Sequence, residues 1–201
     1  MILLTETQYN PPIQYFWHAL RSESIQVEAH ENYIKQSYRN RCHVLTAQGV
    51  QPLSVPVLRG NSKTKIPIQE IEIDYRQKWQ LVHWRTIQAA YGRAPYFEFY
   101  SDYLQEVYER QPKFLFELNI ELLKLYLKLL KLNRPLIYTD AYQAQAPENV
   151  LDLRNRIHPK ISTDNLHVKP YTQVFGKQFV QELSIIDLLF TQGPASISYL
   201  Q

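Results

Sequence analysis

The densest polar segment of this chain is "EAHENYIKQSYRNRC", residues 28–42. Ile25, Val27 and Ala29 alternate at the period of a half-buried strand, which places Glu28 and His30 together on the opposite face. A carboxylate beside an imidazole holds one ring tautomer and makes the ring a general base. Glu28 and His30 are therefore candidates for moving protons, and His83 in "WQLVHWRT" is a third. Glu31, Asn32, Lys35, Arg39, Asn40 and Arg41 follow within reach of a common surface. A guanidinium offers paired donors in a fixed fork, suited to phosphate or carboxylate, and an asparagine donates and accepts at once. Arg39, Asn40 and Arg41 are thus candidate anion ligands. The same residue types also suit a solvated strand face with its loop, and His83, near Trp79 and Trp84, also suits a half-buried helix histidine. Glu28, His30 and His83 have metal-ligating side chains, but no dense ligand motif such as H-E-x-x-H accompanies them, and no metal is assigned.

These residues need elements to position them. At the N-terminus, the apolar run Ile2–Leu4 passes into "TETQYNPPIQYF". Pro12 has no N–H, and Pro11, preceding a proline, is pushed to extended geometry, so no helix runs through the pair. The reading is a buried strand, a proline-braced loop, and a helix from about Ile13. Loops at strand ends of α/β folds hold ligands, so Tyr9 and Asn10 are candidates for orienting one. Further strands are expected at residues 25–29 and in a hairpin from Cys42 to Val57, turning at Gln48-Gly49, with Pro56 marking an edge. "IQEIEIDY" from Ile68 and "PLIYTDAY" from Pro135 also read as strands. From Trp79 the period becomes helical over "WQLVHWRTIQAAYG", "APYFEFYSDYLQEVYER" and "KFLFELNIELLKLYLKLLKL". In the last of these Glu121 and Lys124 are spaced to pair. Residues 143–169 read as polar loop with a turn of helix near 149–156, and "LSIIDLLF" reads as a final helix. The expectation is one α/β domain over residues 1–201, with a mostly parallel sheet, an added antiparallel hairpin and a helical middle region.

Bulk properties narrow the function. The 201 residues suffice for a sizeable core. The net charge of +3 is spread along the chain and does not point to nucleic acid. A single cysteine, Cys42, excludes an internal disulfide and fits a reducing, cytoplasmic setting. No signal peptide or membrane-spanning stretch is read. Five glycines leave little room for a glycine-rich phosphate cradle, and no G-x-S-x-G, G-x-G-x-x-G or Walker loop occurs. The sequence assigns no cofactor and no oligomeric state. Fifteen tyrosines suit sugar or base stacking as well as packing.

Taken together, "QYNPPIQYF", "ENYIKQSYRNRC", "LSVPV", "APYFEFY" and "LSIIDLLFTQGP" resemble the WbqC-like protein family over nearly the whole chain. Many members open with a strand ending His-Gln-Pro-Asn-Tyr-Leu-Pro-Trp; here Tyr9 and Pro11 match, and the histidine is replaced around Thr5. Tyr33, Lys35, Ser37, Asn40 and Arg41 resemble family positions one by one, as do His83 and Asp187, so the resemblance adds Tyr33, Lys35 and Asp187 to the candidate ligand residues. Longer members hold an extra region between the long helix and the last strand; this chain has only the short polar stretch near "LDLRNRIHPK" there, which resembles a shorter branch of the family. The resemblance implies a group transferase, adding glycine or another aminoacyl group to bacterial surface polysaccharide (O-antigen), with a small anionic or sugar-linked ligand. The alternative is a non-catalytic ligand-binding or scaffold protein of the same pathway.

Overall fold

The computed structural model describes residues 1–58, 64–161 and 168–201. The expected polar loop from Gly60 and the polar stretch up to Lys169 therefore lie partly outside the described residues. Strand β1 (Ile2–Thr5) runs at the centre of a four-stranded parallel sheet. Leu3 and Leu4 are buried, and the strand passes through the loop at residues 6–12 into helix α1 (Ile13–Leu20). Pro12 caps α1 in extended geometry, its ring fixing φ at −69° with ψ at 161°. Strand β2 (Ser24–Val27) returns beside β1, Leu3 opposite Ile25.

The hairpin forms from β3 (Arg41–Thr46) and β4 (Gly49–Ser54). Ala47 and Gln48 make the turn, one residue earlier than expected, and Gly49 opens the return strand at a φ of +100° that favours glycine. Pro56 lies past the strand end, where its missing N–H breaks no ladder bond. Helices α2 (Trp79–Tyr91), α3 (Phe97–Glu109) and α4 (Leu115–Leu129) supply the helical middle. Strands β5 (Leu136–Tyr138) and β6 (Val150–Asp152) then complete the sheet in the order β5-β2-β1-β6. Helices α5 (Ile185–Gln192) and α6 (Ser196–Leu200) close the chain. The α/β class, the parallel sheet and the separate antiparallel hairpin agree with the sequence reading. No helix among the described residues is long and apolar enough to cross a membrane.

Three local expectations are corrected. Residues 68–73 do not form a strand: Ile68–Glu70 is a 3₁₀ turn, followed by isolated bridges from Glu72 to Phe114 and from Val57 to Ile73. Ile68 and Ile71, three apart and both buried, fit the three-residue period of that turn. Residues 150–152 are a strand and not a turn of helix, because they pair with the open side of β1. Glu121 bonds Arg110, not Lys124.

Helix α4 buries Leu118, Leu122, Leu123 and Tyr126 in the core, with Leu125 and Leu129 half-buried beside them and Lys124 and Lys128 exposed. Replacing Leu122, which is 0 % exposed, by alanine should lower stability by about 2–5 kcal/mol. The urea midpoint measures this, and an unchanged midpoint would contradict a core position.

Candidate functional site

Strand β1 is flanked by strands reached from opposite directions. The chain goes directly through α1 to β2, and reaches β6 only after crossing from β5 on the far edge. In open parallel sheets the crevice at the carboxyl ends of such strands is where ligands bind. Here those ends gather Glu6 after β1, Glu28 after β2, Thr139 after β5, and Asp152 to Asn155 at and after β6.

The cluster is buried and closely bonded. Glu28 is 0 % exposed; its Oε1 accepts from the Thr139 hydroxyl at 2.8 Å and the His30 backbone N–H at 2.9 Å, and its Oε2 accepts from Arg154 Nη1 at 2.9 Å. Arg154 also forks onto Asp152, at 3.0 and 2.7 Å. Arg39 is 0 % exposed and donates to both oxygens of Glu31 at 2.8 and 2.5 Å, to Asn155 Oδ1 at 2.8 Å and to Ser37. Burial pushes the Glu31 carboxyl up and the Arg39 fork opposes it, and this bidentate geometry is that of an ion pair. Glu6, 1 % exposed, is held differently: its oxygens accept from Gln8 Nε2 and the Asn155 backbone N–H, both at 2.9 Å, and both donors are neutral. Asn155 reaches this position at φ +60°, a conformation asparagine tolerates.

A lip of donors surrounds the cluster. His158 Nδ1 accepts from the Lys160 backbone N–H at 3.2 Å, which leaves the ring proton on Nε2. Partial burial, then the charges of Lys160, Arg39 and Arg41, hold this imidazole below its usual range against the pull of Glu6, so it is neutral at pH 7. Burial pushes the Tyr33 phenol up to about 12, with Arg41 and Arg39 drawing it back. Arg41, first residue of β3, is half-buried, and its Nε has no hydrogen-bond partner among the described residues. Asn40 donates to the Val55 carbonyl at 2.9 Å, and its Oδ1 is likewise unpartnered. His30 and Lys35 are exposed, and His30 touches Glu28 through its backbone rather than its ring.

The structure does not bring all sequence-selected residues to this edge. Tyr9, Asn10 and His83 meet in a separate network inside the core. Tyr9 Oη lies 2.8 Å from His83 Nδ1. Asn10 Nδ2 donates to Tyr108 at 2.9 Å, the Tyr108 and Tyr9 hydroxyls share a hydrogen bond at 2.5 Å, and Tyr126 donates to Asn10 Oδ1 at 2.5 Å. Asn10 Nδ2 also faces Cys42 Sγ at 3.7 Å, and burial pushes that thiol up to about 12. Asp187 belongs to a third group. It sits wholly buried in the first turn of α5, accepting from Tyr171 at 2.5 Å and Gln173 at 3.1 Å, and burial pushes its carboxyl up.

Glu6, Arg154, Asn155 and His158 were missed by the sequence reading. Glu6 follows an apolar strand directly, which was a usable signal. The "LDLRNRIHPK" residues became legible only once β6 was known to lie beside β1. A cavity of about 700 Å³ lies elsewhere, between the α2–α3 turn and residues 172–175. Its lining carries one ionisable side chain, Arg93, so the chemistry-bearing groups are at the strand edge instead. No three His, Cys, Asp or Glu side chains among the described residues are grouped to hold a metal ion.

A parallel sheet whose carboxyl edge bears a charge-rich buried cluster defines an α/β protein with a strand-edge site. The chain belongs to the WbqC-like protein family, whose profile matches residues 7–162 and 158–199. It is similar to "Uncharacterized protein Rv1507c" of Mycobacterium tuberculosis (strain ATCC 25618 / H37Rv), 30 % identical over 197 residues, covering 84 % of each chain. No solved structure matches it.

Burial lowers His83 from 6.5 to about 4. Between those values the unfolded chain binds a proton that the folded chain refuses, so stability falls as pH drops through 6.5 and levels off below about 4. His83 alone should contribute about 3 kcal/mol to that fall. Urea midpoints of wild type and His83→Gln at pH 7 and pH 4 isolate the effect. Equal pH dependence in the two would show that His83 is not held neutral.

Proposed function

We propose that the strand edge binds an anionic, sugar-linked ligand and transfers an acyl or aminoacyl group, in keeping with a role in bacterial surface polysaccharide synthesis. One observation carries this reading: Arg41 Nε is shielded from water and unpaired among the described residues, while Arg39 and Arg154 are occupied by carboxylates. An unmet buried donor costs about 1–3 kcal/mol, a penalty tolerated where a ligand supplies the acceptor. Arg41, the Nε2–H of His158, Lys160 and the Tyr33 hydroxyl form the anion-accepting lip. Glu6, bonded only by neutral donors, is the carboxylate best placed to take a proton from an attacking hydroxyl or amine. Glu28, with both oxygens occupied and one paired to Arg154, acts in this scheme by holding the edge together.

A second reading, ligand binding without chemistry, is favoured by the same saturation of Glu28 and Glu31. Two variants separate the readings. Arg41→Lys removes paired donation and should weaken binding of inorganic phosphate and UDP-glucose by about tenfold in calorimetry, with little change in melting temperature. Glu6→Gln should keep that binding, and should abolish group transfer from an aminoacyl donor to a sugar acceptor. Equal affinities in wild type and Arg41→Lys would remove Arg41 from the site. Transfer persisting in Glu6→Gln would remove Glu6 as the base.

A further inference from the structure

A second concavity lies on the outer side of α2 and α3, with a volume of about 530 Å³, within the range of small-ligand sites. Three aromatic side chains line it. Tyr75 is anchored by its hydroxyl to the Pro112 carbonyl at 2.7 Å, and Trp84 lies 6.3 Å from Tyr108, centroid to centroid. Tyr108 is 4 % exposed and fixed from behind by Tyr9 and Asn10, and Trp84 is stacked on Phe97 at 6.1 Å. The aromatic surface is thus braced from within, and Leu81, 42 % exposed, extends it.

The polar lining is mostly amide. Gln77, Gln80, Gln105 and Gln111 line the concavity, accompanied by one cation, Lys78, and one anion, Glu109. Gln80 is pinned by donating to the Tyr108 carbonyl at 2.7 Å, and Gln105 donates to Glu109 Oε1 at 2.8 Å. The side chains of Gln77 and Gln111 make no hydrogen bond among the described residues. Each amide both donates and accepts, matching hydroxyls that do the same. Balanced charge gives no preference for an anion or a cation. Apolar ring faces beside planar amides match a pyranose, which has an apolar C–H face and an equatorial belt of hydroxyls.

We propose that this groove binds a neutral sugar ring, stacked against Trp84 and Tyr75 with its hydroxyls on the glutamines. The inference rests on the groove's own lining and not on the strand-edge reading. Saturation-transfer NMR and tryptophan fluorescence on the full chain, with D-glucose, D-galactose, D-mannose, L-rhamnose and N-acetylglucosamine as probes, test it. Adenosine and inorganic phosphate run beside them. At least one of the sugars should bind saturably. Trp84→Ala should weaken that sugar by about tenfold or more, Trp84→Phe should restore most of the affinity, and Gln105→Leu should weaken it without lowering the melting temperature. Should Trp84→Ala fail to fold, the Phe and Gln105→Leu variants decide. Glu6→Gln and Arg41→Lys should bind the sugar as wild type does, so that failure of one site leaves the other standing. The proposal is overturned if none of these sugars saturates, if folded Trp84→Ala or Gln105→Leu binds as tightly as wild type, or if adenosine binds the groove more tightly than every sugar.

Discussion

The wholly buried guanidinium of Arg39 is the constraint on which the strand edge depends. Its fork holds Glu31, its Nη2 reaches Asn155 beyond β6, and its backbone carbonyl accepts from Asn119 of α4 at 2.8 Å. The neighbouring Tyr38 carbonyl accepts from the Tyr9 N–H of the β1 loop at 2.8 Å. One short segment thus fastens four separate parts of the chain. Taking such a pair out of water is costly, and removing one partner from a buried pair costs about 3–5 kcal/mol because the other is left uncompensated. An arrangement this expensive to break holds the side chains around it in one geometry, which is what a binding edge requires.

The elements were legible where local pattern decides them. The proline pair ended β1 and started α1, the shift to helical period at Trp79 marked α2, and the leucine spacing marked the buried face of α4. Legibility failed where pairing over long sequence separation decides the structure. Val150–Asp152 has three half-buried residues and no alternation to speak of, and it is a strand because β1 has an open side. The apolar positions Ile71 and Ile73 imitate a strand, yet the segment meets Phe114 and Val57 through isolated bridges at Glu72 and Ile73. The same limit applied to the site. Glu28 and Arg39 stood out because they share a dense polar stretch. Their partners Arg154 and Asn155 come from 126 and 116 residues away, respectively. Glu6, although it directly follows an apolar strand, stands alone in an otherwise uncharged loop and lacks the polar company that marks Glu28 and Arg39.

Residue type identified polar groups but not the direction they face. Tyr9 and Asn10 sit in the proline loop beside Glu6 and Gln8, and from sequence all of these are loop residues near a strand end. Asn10 takes φ +42° and turns its amide inward to Tyr108, Tyr126 and Cys42. Glu6 and Gln8 instead face the β6 side. One loop therefore feeds two polar networks, with the backbone conformation at Asn10 helping to separate them.

Tyr108 links the inner network to the outer groove: its ring lines the groove and its hydroxyl bonds Tyr9 and Asn10. Hydrogen bonds continue from Tyr9 to Tyr38, next to Arg39, so an unbroken path joins the groove to the strand edge. Such a path is not by itself a line of communication, because coupling requires an element with two arrangements that both sites bias. The members of the network here are all buried, at most 4 % exposed. Burial holds His83 neutral, and Asn10 is fixed from both ends, donating to Tyr108 and accepting from Tyr126. With every member buried and Asn10 bonded from both ends, the core network is a packed partition between the two surfaces.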